Sequence, residues 1–512
     1  MKLDPCLKYN ATPTIKKISS LHVFSIIIGG ALFISPIKTV SASDKKTYAK
    51  RPFTAFASQM PDALLGANKY EKPIWNLHNA LKLPKWLSVS LEQRTRYESM
   101  DGSFKADSKG GDQQIPLQTT LWLEAHLNSF RIGTEFMDAR ALDSDRATLV
   151  NNTMVNTLDF LQGYATWSDQ NVFFSGMGAE VTAGRQTLNL GSRRLVARNA
   201  FRNAINSFTG IKLRLLDYDN WQFTGFISTP VNRLPNNPTA ALDNDQVFDR
   251  ENTKTWFSGG FLELYGLGWN INSEIYVYHL DEGTSNNLPT RNRRYFTPGT
   301  RLFIKPAKAA FDFQLETIGQ FGTVESSVTG NSQNLNHTAW FQHADIGYTT
   351  DLQWSPRLAL EYDYATGDKN PNDNQDQRFD SLYGARRFEL GPTGIYGAFS
   401  RSNINSPGVS IKAAPRSDVQ LSVSQRLFWL ASATDCWGGS ICNKTDLHDK
   451  TGRSGNNIGQ QLDLSARWHF NSSLNFESGY THLFKGSFAK NAPFSPAPVD
   501  VNYFYVQSMF RF

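Results

Sequence analysis

Apolar and polar residues alternate with a period of two along most of this chain. Over residues 87–98 Leu87, Val89, Leu91 and Tyr97 fall on one side, and Glu92, Arg94, Arg96 and Glu98 on the other. The same pattern returns at 458–470, where Ile458, Leu462, Leu464, Ala466, Trp468 and Phe470 oppose Gln461, Asp463, Arg467 and His469. Such alternation marks strands with one greasy and one charged face. It predicts strands near 87–98, 117–128, 130–139, 158–168, 178–189, 207–217, 220–229, 254–265, 268–280, 296–305, 309–321, 336–350, 357–366, 403–414, 416–430, 457–470, 473–485 and 501–512. The connections alternate too. Tight turns such as Asn128-Ser129, Asp217–Asn220, Lys305–Ala309 and Asn471–Ser473 separate long polar loops such as 230–253, 281–295, 367–402 and 431–456. Sandwiches scatter long loops at both ends, whereas outer-membrane barrels pair short periplasmic turns with long extracellular loops. An even count of about eighteen strands returns both ends of the sheet to the periplasmic side. The last strand places Phe504, Val506, Phe510 and Phe512 on one face, an ending that outer-membrane insertion machinery recognises.

The N-terminus shifts the picture from strands in general to strands in a membrane. Lys16 and Lys17 precede an apolar run from Leu21 to Ile37, and Val40-Ser41-Ala42 fits a signal peptidase site, so residues 1–42 read as a cleaved secretory signal. The alternative is a permanent anchor, but Gly29, Gly30 and Pro36 interrupt the run, and it is short for a span of ~20 residues. Behind it no helical apolar stretch could cross a bilayer, which leaves a closed β-barrel as the only spanning structure. The 512 residues carry a formal charge of +6, but residues 1–42 hold five lysines and one aspartate. The near-neutral remainder offers no basic footprint for nucleic acid. Twelve Trp, 18 Tyr and 35 Phe are enough for two interfacial girdles. Residues 43–85, with Pro52, Pro61, Pro73 and Pro84, read as a periplasmic lead-in that folds inside the barrel or stays mobile. Cys6 leaves with the signal, and Cys436 and Cys442 in the sequence CWGGSIC are expected to form a local disulfide in an oxidising compartment. The fold class expected is therefore all-β, a transmembrane antiparallel β-barrel of about 18 strands over residues 86–512, in the outer membrane of a Gram-negative bacterium.

Several segments, taken in order, resemble the alginate export family of outer-membrane porins. They are residues 87–98; Gly184-Arg185-Gln186 with Leu188, Gly191 and Arg194; Asp363-Tyr364-Ala365-Thr366-Gly367-Asp368 with Asn370-Pro371 and Phe379-Asp380; Arg426-Leu427-Phe428-Trp429; residues 459–467; and Gly479–Gly486. The resemblance implies an eighteen-stranded monomeric barrel whose arginine-rich constriction passes a polyuronate. It points to Arg96, Arg131, Arg185, Arg194, Arg426 and Arg467 as the substrate-binding cluster; the inward direction of Arg185 rests on the resemblance, because alternation blurs at Gly184. The chain departs from the family at Gln461, where a Glu is typical, and in the composition of loop 367–402.

The residues themselves leave the lumen's sign open. If the apolar face meets lipid, Arg94, Arg96, Arg131, Lys212, Arg214, Arg301, Arg426 and Arg467 point inward. So do Glu92, Glu98, Glu124, Glu135, Asp312, Glu316, Glu361, Asp363 and Asp463. Selectivity would then come from a local cluster at the narrowest level, where desolvated arginines meet carboxylates with paired donors; the alternative for any one arginine is a ladder that braces the wall. Asp368, Asn370, Asn372, Asp373 and Asp376 in loop 367–380 resemble part of a calcium loop without its glycine or distal glutamate, and a solvated acidic loop is favoured. Neither a G-x-S-x-G elbow nor an H-E-x-x-H pair occurs, and of nine dispersed histidines only His337 and His343 lie close together in one strand. No metal site, cofactor or catalytic centre is predicted. The leading expectation is a channel for an anionic polysaccharide or oligosaccharide, an alginate-like polyuronate, embedded in outer-membrane lipid and served by periplasmic export partners. The alternatives are an uptake porin for small anionic solutes, an outer-membrane enzyme and an adhesive barrel closed by its loops.

Overall fold

The computed structural model describes residues 73–512 apart from 109, 145, 147–148, 173–175, 218, 286–287 and 329–331. The expected signal peptide and residues 43–72 of the lead-in lie outside the described residues. The strands are β1 (Leu87–Asp101), β2 (Asp112–Leu127), β3 (Phe130–Leu142), β4 (Asn156–Val172), β5 (Met177–Gln186), β6 (Phe208–Asp217), β7 (Trp221–Asn232), β8 (Arg250–Glu251), β9 (Thr255–Leu267) and β10 (Ile271–Glu282). There follow β11 (Arg294–Ile304), β12 (Ala310–Glu325), β13 (Asn334–Thr349), β14 (Arg357–Ala365), β15 (Gln375–Asp376), β16 (Ile404–Arg416), β17 (Val419–Trp429), β18 (Asn457–His469), β19 (Leu474–Lys485) and β20 (Val501–Arg511). The two-residue strands β8 and β15 belong to loops; the other eighteen form the wall, each pairing antiparallel with its neighbours in chain order. β1 closes the sheet on β20, in a register running from Glu92 opposite Arg511 to Asp101 opposite Asn502. Long and short connections alternate without exception around the barrel, as the sequence predicts. Asn128 takes the left-handed conformation (φ 55°) that a two-residue hairpin needs.

The side-chain alternation runs opposite to that of a soluble sheet. On β14 Leu358, Leu360 and Tyr362 are exposed while Arg357, Ala359, Asp363 and Ala365 are buried. Exposed aromatics mark two belts: Trp269, Phe311, Trp354 and Phe470 at the short-turn rim, and Phe160, Trp256, Phe296, Phe321 and Trp340 toward the other. On β12 the ten steps from Phe311 to Phe321, rising about 3.4 Å each in a strand tilted by about 40°, cover about 26 Å, the height of an outer-membrane apolar band.

The core lies inside the barrel. Two long loops, 187–207 between β5 and β6 and 366–403 between β14 and β16, fold into the lumen and join each other. The Tyr383 N–H donates to the Leu195 carbonyl (3.0 Å), the Ala197 N–H to the Tyr383 carbonyl (3.2 Å) and the Ala385 N–H to the Arg193 carbonyl (2.9 Å). Tyr383 packs on Phe208 and Phe257 of the wall, with ring centroids 5.2 and 4.9 Å apart. Phe399 stacks on Phe428 at 3.6 Å, and Phe379 on Phe341 at 5.4 Å. Gly191 (φ 50°) lets the first loop graze the wall, because a Cβ there would fall 2.5 Å from Glu274 Oε2 and 2.7 Å from Phe261 Cζ. Cys436 and Cys442 are joined by a disulfide in the 430–456 loop, with Cα atoms 6.0 Å apart. Arg378 ties that loop to 366–403 through Asp435, the Cys436 carbonyl (3.0 Å) and the Gly439 carbonyl (2.8 Å).

Residues 73–86 neither enter the lumen nor extend away from the barrel. A short helix, α1 (Leu77–Ala80), is capped by the Asn76 side chain, and Trp75 stacks on Phe510 and Phe512 at 6.1 and 6.0 Å. Those rings share the parity of exposed Phe504 and Val506, so residues 73–86 rest on the lipid-facing foot of the barrel. The reason is that two outward phenylalanines at the end of β20 offer them an aromatic face, whereas the inner surface there is charged.

A charge on the lipid face tests this orientation. Leu360→Arg should lower folding stability in phospholipid vesicles by about 2–4 kcal/mol, whereas Ala359→Ser, on the inner parity, should change it by less than about 1 kcal/mol; denaturant titration into vesicles measures both.

Candidate functional site

The lumen is organised by charge that the alternating strands do not carry. Segment 187–207 contains Arg193, Arg194, Arg198 and Arg202 and no acid; segment 381–403 contains Arg386, Arg387 and Arg401 against Glu389. Residues 366–380 add Lys369 and Arg378 against Asp368, Asp373, Asp376 and Asp380, so the two inserted loops together bring a formal +4 into the barrel. An isolated buried charge is costly, so the wall supplies carboxylates for most of it. Arg198 forks onto Glu135, and Arg194 pairs with Glu316 of β12 and with Glu389 at 2.6 Å. Arg401 pairs with Glu389 and donates to the Ala385 carbonyl at 2.7 Å. Arg387 pairs with Glu477 of β19 and lies 3.9 Å above the Phe201 ring. Glu389, held between Arg194 and Arg401, is pulled down to about 2 despite burial that alone would raise it.

The strand arginines are neutralised in the same way. Arg96 donates to Glu98 (2.7 Å), to Gln507 (2.9 Å) and to the Phe201 carbonyl (2.7 Å). Arg426 bridges Glu361 (2.7 Å) and Asp363 (2.6 Å), and Asp363 also meets His343 Nδ1 at 2.8 Å. Arg467 reaches Glu477 at 3.3 Å, and Arg131 reaches Glu180 at 2.7 Å near the periplasmic end. The expected cluster is therefore divided. Arg96 and Arg467 share a network through Gln507 and Glu477, while Arg194 lies within electrostatic reach of Asp363, the partner of Arg426. Arg131 stands apart with Lys212 and Arg214.

Arg185 does not join any of them, contrary to the inward direction that the resemblance implies. It shares the parity of exposed Ala183, opposite to buried Thr182 and Gln186, and is held at the rim by Glu251 (2.8 Å) and the Phe160 carbonyl (2.9 Å). Gln461, in place of the family's Glu, accepts from the Tyr396 hydroxyl at 2.6 Å, so the departure receives the second loop. In loop 367–380, Asp376 pairs with Arg291 (2.8 Å) and Asp380 with Arg293. Among the described residues no group of three or more His, Cys, Asp or Glu could hold a metal ion.

Arg94, Arg202, Arg233 and Arg386 form no ion pair with a carboxylate among the described residues, although Asp249 lies within electrostatic reach of Arg233 and Asp446 of Arg386. Arg94 donates to the Ala200 and Arg202 carbonyls (2.6 and 3.0 Å) and to Asn203 Oδ1 (3.0 Å). Arg233 donates to the Asn152 carbonyl (2.9 Å) and to Asn206, and Arg386 to the Phe399 carbonyl (3.3 Å). The Arg202 side chain makes no hydrogen bond or ion pair among the described residues. Burial, then the proximity of Arg386 and Arg233, pushes Arg202 well below the usual guanidinium range; burial and then Arg401 push Arg386 down to about 10. Like charges held together out of water are relieved when an anion enters between them, and planar guanidinium forks bind carboxylates best. Sequence periodicity misses Arg202 and Arg386 because both sit on loops. The acid-free run of four arginines in 187–207 is the signal that marks the first.

Solved structures of similar fold include the outer membrane protein OpdK and related proteins. OccK8 (OprE) of Pseudomonas aeruginosa aligns with a TM-score of 0.54 at 10% identity over 83% of this chain and 98% of its own. OpdK of the same organism gives 0.54 at 10% identity, over 83% and 98%. OccAB1 of Acinetobacter baumannii gives 0.53 at 12% identity, over 84% and 97%. At such identity the likeness is one of fold. No curated protein matches the chain. The family model described as alginate export matches residues 85–499. That match covers the wall from the start of β1 to the edge of β20 together with both inserted loops, and the protein is a member of the alginate export family, an outer-membrane channel of a Gram-negative bacterium.

Proposed function

We propose that this channel passes an anionic polysaccharide or oligosaccharide of the polyuronate type, selected by guanidinium groups in the lumen and moved outward by passive diffusion along the bore, without catalysis. The observation that carries the reading is the formal +4 of the two inserted loops, with Arg202 and Arg386 left without a carboxylate ion pair among the described residues. Wall arginines such as Arg96 and Arg426 are balanced ladders that hold the loops in place. Arg202 and Arg386 on the loops are the donors with charge to offer, and the constricted lumen strengthens their field relative to open water. A polymer with a carboxylate on each sugar can pass from one guanidinium to the next without ever being released into an apolar region. The barrel works as a monomer in lipid, and a periplasmic export partner delivers the polymer to the short-turn rim.

The test is single-channel recording of the purified protein in a planar bilayer, with reversal potential under a salt gradient and addition of polyuronate. Anion selectivity with polyuronate block is expected; cation selectivity, or block by small anionic solutes but not by the polymer, would give the function to another class. Substitution separates donors from braces. Arg202→Gln and Arg386→Gln should each raise the half-blocking polyuronate concentration about tenfold, the effect of losing one charge-assisted hydrogen bond worth ~1.5 kcal/mol. Arg426→Ala should instead cost about 3–5 kcal/mol of stability, because Glu361 and Asp363 are left buried without their partner.

The brace also has a pH signature. Glu389 sits at about 2 in the folded protein against an ordinary value of 4.5, so its contribution is complete above about pH 4.5 and is lost as pH falls toward 2. Conductance should therefore be steady from neutral pH down to about pH 5 and become noisy below about pH 4 as the loops loosen, and Glu389→Gln should show the noise at neutral pH.

A further inference from the structure

The foot of the barrel carries a surface feature that the lumen does not use. Ile74, Trp75, Leu77, Ala80 and Phe512, with Asn76 and Asn79, line an open groove of about 550 Å³ between α1 and the end of the closing strand. That volume lies within the usual range of ligand sites, roughly 300–1,000 Å³. Its wall is fixed, because Trp75 is stacked on Phe510 and Phe512 and its backbone N–H donates to Ser473 Oγ at 2.9 Å. Around it Ile74 is 65% exposed, Leu81 59% and Trp86 52%. In water so contiguous an apolar surface would be unfavourable. The groove, however, continues the lipid-facing belt: Phe470 and Trp468 of the neighbouring hairpin are exposed on the same face at the same rim. It therefore opens at the boundary between acyl chains and headgroups, where Trp rings and long basic side chains settle.

Charge narrows the occupant. Residues 73–86 contain Lys82 and Lys85 and no acid, and both lysines are exposed with no carboxylate partner among the described residues. Two unpaired ammonium groups beside an acyl-sized groove suit a phosphate-bearing lipid with a net negative charge better than a zwitterionic one. We propose that this groove binds an anionic phospholipid of the periplasmic leaflet, one acyl chain lying against Trp75, Ala80 and Phe512 and the phosphate facing Lys82 and Lys85. Residues 73–86 are then a lipid-loaded clamp over the seam at which β20 closes on β1, whatever solute the lumen passes.

Beyond residue 42 the chain has no cysteine besides Cys436 and Cys442, so a single cysteine at Asn79 can be labelled selectively. The Asn79→Cys protein, labelled with bimane, is reconstituted in vesicles containing either phosphatidylglycerol or phosphatidylcholine brominated on the acyl chain. Phosphatidylglycerol should quench the label at least about threefold more strongly than phosphatidylcholine. Lys82→Gln combined with Lys85→Gln should remove that difference, and Ala80→Phe, which fills the groove, should weaken quenching by both lipids. Equal quenching by the two lipids with the lysines intact would reduce the site to ordinary surrounding lipid and overturn the proposal. Absence of quenching by either would overturn lipid occupancy altogether. Both comparisons use the unaltered groove, so they stand even if a filling variant fails to fold, and neither depends on the channel's selectivity.

Discussion

Hydrocarbon offers no hydrogen-bonding partner to a peptide group, and everything else in this structure follows from how that constraint is met. Eighteen strands satisfy one another in a ring, and the pairing of β1 with β20 removes the last free edge. Closure fixes which face of each strand meets lipid. The apolar face must turn outward, so a wall that would bury its leucines in a soluble protein instead buries Arg96, Glu98, Glu316, Asp363 and Arg426. The interior of such a barrel cannot be stabilised by the wall alone.

Two loops complete it, and they use two kinds of contact for two purposes. Aromatic anchors fasten them by area: Tyr383 against Phe208 and Phe257, and Phe399 against Phe428. Ion pairs with wall carboxylates set their position, because Glu135, Glu316 and Glu477 each receive an arginine from a loop. The balance is deliberate in its incompleteness. More guanidinium groups enter the lumen than the wall neutralises directly, and the residue of charge falls on Arg202 and Arg386, where the loops meet. A fully balanced lumen would carry as many carboxylates as guanidinium groups; the two loops here carry more bases than acids.

The outer foot follows the same logic with the opposite solvent. The end of β20 turns Phe510 and Phe512 toward lipid, and the lead-in uses them as a platform before entering β1. The seam at which the barrel closes is thereby covered by a segment rich in Trp and Lys, suited to the headgroup region. An interaction between strand end and lead-in at long sequence separation, such as the Trp75 N–H on Ser473, is available only after closure.

The sequence by itself determined the wall. A period of two is enforced residue by residue, because each peptide unit reverses the side chain, so strands such as 357–365 and 458–469 are legible locally, and turn chemistry such as Asn128-Ser129 fixes their ends. It also marked the inward arginines Arg96 and Arg426 on the wall and, through the resemblance, Arg194 on a loop. It could not tell a bracing arginine from a free one, because that depends on which carboxylate lies opposite, and Glu361 opposite Arg426 is 65 residues away in the chain. Only the tertiary structure decided that Arg185 leaves the cluster for Glu251, that Arg202 and Arg386 come together from segments far apart, and that residues 73–86 lie outside the barrel. Those outcomes depend on loop paths, which carry no periodicity, and on charge pairing across the lumen, which exists only once the sheet has closed.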